Sequence, residues 1–424
     1  MEEADDKQRE AYEELVRIKD EESVEAVRGF KRILNEGNPA EDGLTRVQEL
    51  SIFHLCDLFA KLNDTNELIK LLEDVRPIFS KLPKAKTAKI VRTVIDSMAK
   101  IPGTDETQVK LCNEYIAWCV KEKRAFLRQR IQTRLANLYL SSGRFQQALK
   151  LLGELQSEVK KLDDKPLLVE IFLIESRVHH ALLNLPRAKS SLTAARSVAN
   201  SIYVGPLLQG EIDMQGGILN ADEKDFRTSY SYFFEAFEGL NTIGDQRAKI
   251  CLKYMLLSKI MNNQGDEVPT ILNSKSAVAY TGPEIESMRA IARAYKERSL
   301  HTFDAVLKEH SKEIEFDGLV QRHIKDLQAA LLEQNLIRLI EPFSRVEIAH
   351  VAKLIDLPLP EVERKLSQMI LDQKFLGILD QGTGELVVFD EPISDSTYQT
   401  SLDVVEDMSN VVDSLFRRAE KLQT

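Results

Sequence analysis

The stretch that decides the fold runs from Leu336 to Phe389 and reads LIRLIEPFSRVEIAHVAKLIDLPLPEVERKLSQMILDQKFLGILDQGTGELVVF. It begins with a short apolar run, Leu336–Ile340, that ends at Glu341-Pro342. Ser344 and Glu347 then have the spacing of a capping box, in which the serine accepts a backbone N–H and the glutamate reaches back. The apolar residues that follow recur at i, i+3, i+4 and i+7, which predicts an amphipathic helix. They are Ile348, Val351, Ala352 and Ile355.

A second helix and a hairpin complete this stretch. The prolines of Leu357-Pro358-Leu359-Pro360 end the first helix and begin another, because proline suits the first turn of a helix. The second helix is predicted to bury one face, made of Val362, Leu366, Met369 and Ile370. Leu376–Asp380 and Glu385–Phe389 indicate two strands around a glycine-containing loop. The order of strand, helix, turn, helix and hairpin, with the run Leu336–Ile340 at its start, predicts a winged helix.

Upstream, from about residue 44 to about residue 290, helix pairs recur with a period close to 40 residues. Each pair is joined by a short polar turn, as in Ser141-Ser142-Gly143-Arg144. The second helices open with small or aliphatic residues, namely Leu68, Val109, Ala148, Ala188, Ser229 and Val268. A fixed period with two helices per unit predicts a solenoid that resembles tetratricopeptide repeats and offers a concave surface to another protein. The alternative is an irregular helical domain without a binding role.

The chain is predicted to stay helical after the solenoid, through Tyr295–Glu309 and Leu319–Leu336, and to end in a helix at Tyr398–Leu422. Apolar residues of this last helix recur at spacings of three and four, which is the pattern of a bundle seam. The seam consists of Val405, Met408, Val412, Leu415, Ala419 and Leu422. Such a stripe needs a partner. Either the helix folds back on its own winged helix, or it joins a bundle with other chains.

The predicted fold class is mostly α, and the length of 424 residues allows two or three domains. A right-handed TPR-like α-solenoid is expected over residues 1–290. A second domain is expected over residues 291–390, with a helical part at 291–335 and the winged helix at 336–390. An acidic loop and a C-terminal bundle helix follow at residues 391–424. The four cysteines are too few for a disulfide framework, which favours a reducing compartment.

No motif for catalysis, cofactor binding or metal binding is present in the sequence. The chain has neither a phosphate-binding loop nor the G-x-S-x-G and H-E-x-x-H motifs. His179 and His180 are adjacent, so a helix would point them about 100° apart and they could not chelate one metal. Cys112 and Cys119 share a helical face without a nearby histidine, which is more typical of core residues than of zinc ligands. We therefore expect no catalytic residue, no cofactor and no metal.

The charge distribution argues against nucleic acid as a partner. The net charge is −10, and residues 343–390 carry five basic and eight acidic side chains, a net charge of −3. A DNA reader needs exposed basic residues that contact phosphates. One basic run stands out, and it is either a solvated face or a contact for an acidic protein surface. It consists of Lys121, Lys123, Arg124, Arg128, Arg130 and Arg134.

A helical-repeat array that runs into an acidic winged helix, with a terminal helix behind it, resembles the PCI family. That family supplies subunits to the proteasome regulatory lid, the signalosome and a translation initiation factor. Three stretches in particular resemble a PCI subunit of the proteasome lid: Ile340–Gln381, Tyr230–Gly239 and Lys253–Met261. This resemblance implies a non-enzymatic scaffold in the cytoplasm and nucleus. The alternatives are a sister complex of the same fold, a PCI protein that handles mRNA, or an enzyme.

The resemblance also implies partners and contact residues. The implied partners are other PCI lid subunits, the metalloprotease deubiquitinase subunit of the lid, the proteasome ATPase ring and the α-ring of the core particle, with no nucleic acid and no membrane. The C-terminal helix would enter a helix bundle, and the basic run is a candidate for core or ATPase contacts. Candidates for the contact between PCI domains are Val362, Leu366, Leu386, Val387, Val388 and Phe389.

Overall fold

The structure is a computed structural model that describes residues 23–36, 46–76, 79, 82–99, 101, 103–311, 317–355, 357–380, 382–389 and 396–423. The chain divides into two compact units, Met1–Asn262 and Asn263–Thr424. The described part of the first unit is helical. Its helices are α1 (Ser23–Glu36), α2 (Arg46–Leu62), α3 (Thr65–Val75), α4 (Lys84–Met98), α5 (Asp105–Lys121), α6 (Ala125–Ser141), α7 (Phe145–Leu162), α8 (Lys165–Ala181), α9 (Leu185–Ala199), α10 (Pro206–Asp222), α11 (Phe226–Ile243) and α12 (Arg247–Met261).

The predicted repeat is confirmed by the backbone of its turns. The turn inside each helix pair holds a residue with positive φ, and these lie about 40 residues apart, at Asn63, Gly103, Gly143, Leu183, Lys224 and Asn263; Lys123, Asp163 and Gly244 have positive φ in turns between pairs. This left-handed conformation ends one helix and reverses the chain, and glycine and asparagine adopt it most readily. The residues predicted to open the second helices are buried at Leu68, Ala148, Ala188, Ser229 and Val268 and half-buried at Val109. The sequence period therefore reflects one recurring turn and one recurring packing position.

Within the repeats, small residues let neighbouring helices approach closely. Gly217 of α10 lies against the ring of Phe233 in α11, and a Cβ added at Gly217 would lie 2.6 Å from two of the ring carbons. The Ser229 hydroxyl donates a hydrogen bond of 2.9 Å to the carbonyl of Gly217. In the preceding pair, Ser176 likewise donates to the carbonyl of Ala188 at 2.8 Å. These contacts bring α10 close to α11 and α8 close to α9.

The second unit begins with a 3-10 turn (Gly265–Glu267) and α13 (Val268–Leu272), followed by α14 (Pro283–Glu297), α15 (Leu300–Glu309) and α16 (Gly318–Ile340). The chain stays helical through most of Tyr295–Glu309, as predicted, but as two helices with a break at residues 298–299. Arg298 has a φ of 52°, which ends α14, and the Ser299 hydroxyl accepts the N–H of Thr302 and caps α15. One face of α16 is turned to the core, with Val320, Ile324, Leu327 and Leu331 buried and Leu332 half-buried.

The winged helix comprises β1 (Arg345–Glu347), α17 (Ile348–Ile355), α18 (Leu359–Leu371), β2 (Leu376–Asp380) and β3 (Glu385–Phe389). In the described residues the strands form one antiparallel sheet in the order β1-β3-β2. Both predicted hairpin strands and the buried face of α18 are confirmed. The core joins α16, α17, α18 and the sheet through residues that include Leu336, Val351, Leu366, Met369 and Leu386.

Two predictions about the beginning of this domain are wrong. The run Leu336–Ile340 is the last part of α16 and not a strand, because its two ends are one turn apart on the buried helix face. Ser344 to Glu347 do not form a capping box either. Three of them, Arg345–Glu347, are β1 itself, in which only the middle residue, Val346, is buried. The N–H of Val388 in β3 donates to the carbonyl of Ser344 at 2.9 Å. An isolated S-x-x-E pattern does not distinguish a helix cap from an edge strand.

The last described element is α19 (Ser396–Gln423), which agrees with the predicted terminal helix. Its 28 residues correspond to a length of about 42 Å. Among the described residues, no helix combines the length and the hydropathy that a membrane span requires.

Candidate interaction surfaces

The outer face of the winged-helix sheet carries an apolar patch. In the antiparallel register, Leu376 lies opposite Phe389, and Ile378 lies opposite Val387. Successive strand residues point to opposite faces, so these four side chains share the face that is turned away from the buried Leu386. Ile378 is 58% exposed and Phe389 is 48% exposed. We call this patch, Leu376, Ile378, Val387 and Phe389, the wing face.

Charged residues flank the wing face on the same side of the sheet. Arg345 of β1 lies opposite Val387. Two residues further along the strands, a row of carboxylates crosses the sheet, made of Glu347, Glu385 and Asp380. The backbone N–H groups of the hairpin turn and the Thr383 side chain lower the pKa of Asp380 below its usual value, so it is charged at neutral pH. Like charges placed directly opposite each other destabilise a sheet, and a basic partner would relieve that repulsion.

The structure separates the six residues predicted for the contact between PCI domains. Val362, Leu366 and Leu386 are buried in the core of the winged helix, and Val388 packs partly against that core. Their side chains hold the domain together and are not offered to a partner, so we leave them out of the interface proposed below. Val387 and Phe389 lie on the wing face.

Sequence reasoning missed Leu376 and Ile378, the other half of the wing face. Their alternation along β2 was visible in the sequence. The sequence did not show which of the two alternating sets of strand residues faces the core. Both strands, Leu-Gly-Ile-Leu-Asp and Glu-Leu-Val-Val-Phe, place apolar residues on both faces of the sheet.

The stripe on α19 is exposed. All described side chains from position 397 to position 419 are exposed, and Met408 retains 63% of its accessible surface. The stripe comprises the predicted residues Val405, Met408, Val412, Leu415 and Ala419, whereas the Leu422 side chain lies outside the described residues. A helix folded back on its own winged helix would bury this stripe. The exposure therefore speaks against the fold-back alternative.

The basic run is not one surface. Lys121 and Lys123 are exposed at the turn between α5 and α6. Arg124 is half-buried, donates to the carbonyl of Phe79 at 2.9 Å, and lies 4.8 Å from the centre of the Trp118 ring. Such contacts make Arg124 a packing residue.

The remaining three arginines of the run lie along α6. Arg128 pairs with Glu158 of α7, so it too supports packing between helices. Arg130 and Arg134 line a cavity of about 290 Å³ on the side of the first unit formed by α4, α6, α8 and α10. The helix therefore directs neighbouring arginines of one sequence run to different environments.

Cys112 and Cys119 lie in the core, as expected from their shared helical face. Cys112 and Cys119 are buried free thiols, and burial raises the pKa of each to about 11. His179 is buried, whereas the Nε2 of His180 is 2.5 Å from a carboxylate oxygen of Asp222. Within the part of the chain that the structure describes, no cluster of histidine, cysteine and carboxylate side chains suits a metal ion.

Comparison with known families and proteins finds family matches in the N-terminal and C-terminal parts of the chain. Residues 8–142 match the 26S proteasome regulatory subunit RPN6 N-terminal domain, residues 307–390 match the PCI domain, and residues 394–420 match the 26S proteasome subunit RPN6 C-terminal helix domain. The chain is 51% identical over 402 residues to a 26S proteasome non-ATPase regulatory subunit 11 homolog of Arabidopsis thaliana, covering 95% of this chain and 96% of the relative. The chain belongs to the RPN6 family of 26S proteasome regulatory subunits.

Other members of this family show similar agreement. A probable 26S proteasome regulatory subunit rpn6 of Schizosaccharomyces pombe is 46% identical, over 94% of this chain and 95% of the relative. The 26S proteasome regulatory subunit RPN6 of Saccharomyces cerevisiae is 41% identical, over 91% and 90%. The resemblance to the PCI subunits of the proteasome lid is thereby confirmed. The winged helix lies within the match to the PCI domain, and α19 covers residues 396–420 of the match to the C-terminal helix domain.

Proposed function

We propose that this protein is a non-catalytic scaffold subunit of the proteasome regulatory particle lid. In this role it clamps the lid, the ATPase ring and the core particle together for ATP-dependent degradation of ubiquitinated proteins. One observation carries the proposal: similarity over more than nine tenths of the chain to relatives that are named 26S proteasome regulatory subunits. That similarity favours the proteasome over the signalosome and the translation initiation factor.

The winged helix supplies the contact with other PCI subunits in this proposal. We retain residues 291–390 as the PCI domain and 1–290 as the solenoid. The wing face, with Ile378 and Phe389 at its most exposed positions, is the apolar centre of the contact. The row of Glu347, Glu385 and Asp380 beside it favours a partner surface with basic residues. Removing this patch from water would be favourable by about 25 cal/mol for each Å² of apolar surface.

The exposed stripe on α19 supplies the second contact. Its side chains recur at alternating spacings of three and four, so they form a continuous strip that fits between other amphipathic helices. Packing in a helix bundle with other lid subunits would bury the strip. This is the physical reason to expect that α19 holds the chain in its complex.

The solenoid supplies the remaining contacts in the proposal, with the ATPase ring, the α-ring of the core particle and the metalloprotease deubiquitinase subunit. Lys121 and Lys123 are the residues of the basic run that are free to reach an acidic partner at the α5–α6 turn. Arg124 and Arg128 are removed from this role by their contacts within the chain. We place the protein in the cytoplasm and nucleus, with neither nucleic acid nor membrane as a partner.

A pull-down of the tagged chain from its own cell extract, with ATP present, tests the proposed function. Mass spectrometry should identify lid, ATPase and core subunits, and the eluate should degrade a ubiquitinated substrate in an ATP-dependent way. Recovery of a PCI complex without ATPase subunits and without peptidase activity would keep the fold and move the function to a sister complex. Enzymatic activity of the purified chain, measured without any other subunit, would contradict the non-catalytic role.

A further inference from the structure

The cavity between α4, α6, α8 and α10 has a composition that packing alone does not explain. These are alternate helices of the repeat, so one helix from each pair contributes to its wall. Four arginines line it: Arg92, Arg130, Arg134 and Arg177. Three carboxylates line it as well: Asp96, Glu170 and Glu211. So many guanidinium groups in one cavity need anionic groups beside them to offset their positive charge.

Three of the arginines have such partners within the chain. The Nε of Arg92 is 3.6 Å from a carboxylate oxygen of Asp96 on the same helix. Arg177 approaches Glu211 at 3.1 Å. In the third pair, Arg130 and Glu170, the closest nitrogen and oxygen atoms are 3.9 Å apart, which is the weakest of the three contacts. The carboxylates of the cavity are therefore all engaged with cations of this chain.

Arg134 is the exception. It is half-buried, its Nε is inaccessible to solvent, and that atom has no hydrogen-bond partner. Among the residues that the structure describes, no carboxylate lies within ion-pair distance of Arg134. Asn137, which is one turn further along α6, lines the same cavity. Because the Nε is inaccessible, only the two terminal nitrogens of Arg134 can donate to a ligand, and their planar fork matches the two oxygens of a carboxylate.

The balance of charge and the apolar walls define the ligand further. Four arginines and three carboxylates leave an excess of one positive charge. Burial raises the pKa of Glu170, and the positive charges of Arg130 and Arg92 oppose that shift. Apolar side chains, among them Leu127, Ile131 and Leu173, form another part of the lining. A volume of about 290 Å³ suits one or two side chains rather than a larger cofactor.

We propose that this cavity binds a carboxylate of an acidic peptide segment from a partner protein, with Arg134 as its ion-pair partner. Asn137 donates a second hydrogen bond, and the aliphatic wall holds an apolar side chain next to the acidic one. One carboxylate suits one unpaired guanidinium group, whereas a phosphate would require further free cations. The proposal does not depend on assembly into the proteasome, because the cavity lies wholly within the first unit.

Fluorescence anisotropy with the purified full-length chain tests this proposal. Two labelled peptides separate the possible sources of the carboxylate: Ala-Leu-Asp-Leu-Ala with an amidated C-terminus, and Ala-Leu-Ala-Leu with a free C-terminal carboxylate. The amidated Ala-Leu-Asn-Leu-Ala peptide is the uncharged control. We expect the wild-type chain to bind at least one of the carboxylate peptides and to bind the asparagine peptide at least tenfold more weakly. Increasing the salt concentration should weaken binding.

Matched variants locate the site. Arg134→Gln should weaken peptide binding at least tenfold, and Arg134→Lys, which keeps the charge but loses the fork, should weaken it severalfold with native circular dichroism. Arg227→Ala removes an exposed arginine of α11, outside the cavity, and should bind as the wild type does. Absence of binding by the wild type, equal binding of the asparagine peptide, or wild-type affinity in both Arg134 variants would overturn the proposal.

Discussion

Replacing Gly217 with alanine tests the packing that builds the repeat. Gly217 lies on the face of α10 that contacts α11, and an added Cβ would lie 2.6 Å, 2.6 Å and 2.8 Å from three carbons of the Phe233 ring. Carbon atoms pack favourably at about 3.5–4.0 Å, so the ring would have to move by about 1 Å. Phe233 is only 1% exposed and its ring centre is 5.4 Å from that of Tyr254, which leaves little room for the movement.

The expected cost follows from two opposing effects. Overpacking a well-packed core costs about 1–3 kcal/mol. Alanine in place of glycine in a helix offsets this by about 0.5–1 kcal/mol. We therefore expect Gly217→Ala to lower the free energy of unfolding by up to about 2.5 kcal/mol. Gly153 of α7 is the matched control, because nothing lies within 4 Å of its added Cβ. Gly153→Ala should raise stability by about 0.5–1 kcal/mol.

Urea unfolding followed by circular dichroism at 222 nm measures both variants. The double variant Gly217→Ala with Phe233→Leu should recover part of the loss, because leucine is smaller than the ring that the Cβ meets. The expected coupling between the two sites is about 1 kcal/mol or more. If Gly217→Ala were as stable as Gly153→Ala, the close approach of α10 and α11 would not constrain the repeat and the reasoning would be wrong.

Three further predictions concern single features. Leu183 has a left-handed backbone and is 76% exposed, so Leu183→Asn should raise the melting temperature through a gain of up to about 1 kcal/mol; an unchanged or lower value would contradict this. The side chain of Arg247 lowers the pKa of Asp245 through hydrogen bonds, so Asp245→Asn should cost about 0.5–1 kcal/mol in urea unfolding at pH 7 and pH 5. That cost should shrink below about pH 4 as Asp245 becomes protonated, because a depressed folded-state pKa stabilises only above that range; a difference that grows with acid would be the wrong sign. Ile378→Asp should reduce recovery of other PCI subunits in a pull-down, whereas Gln368→Asp, at an exposed position of α18 outside the wing face, should not, and equal recovery would remove the wing face from the interface.

The repeat could be predicted from the sequence because its turns leave a chemical trace. A left-handed residue favours glycine or asparagine, and four of the six turn positions carry one of these, namely Asn63, Gly103, Gly143 and Asn263. Leu183 and Lys224 occupy the same conformation without that signature, and only the period indicated their turns. The hairpin strands and the buried face of α18 were predictable for a similar reason, since local periodicity determines them.

The interaction surfaces were less predictable because they depend on contacts between distant parts of the chain. Which residues of β3 face the core depends on the pairing of Val346 with Leu386, two residues that are 40 positions apart in the sequence. Likewise, the basic run is continuous in sequence, but successive helical residues point about 100° apart. Whether Arg128 or Arg134 finds a partner depends on helices that lie elsewhere in the chain. Sequence reasoning identified the arginines and could not tell which were paired.

Incorporation of stripe variants into the proteasome tests most directly the claim that this chain is held in its complex by α19. Met408→Asp with Val412→Asp places two charges on the exposed stripe. Asn410→Asp with Ser414→Asp places the same two charges on the opposite, exposed face and is the control. Each tagged pair would be expressed in cells, and the fraction that co-purifies with ATPase and core subunits would be measured by native gel and mass spectrometry. We expect the stripe pair to remain folded and largely outside the complex, and the control pair to assemble as the wild type does. Equal assembly of both pairs would contradict the claim.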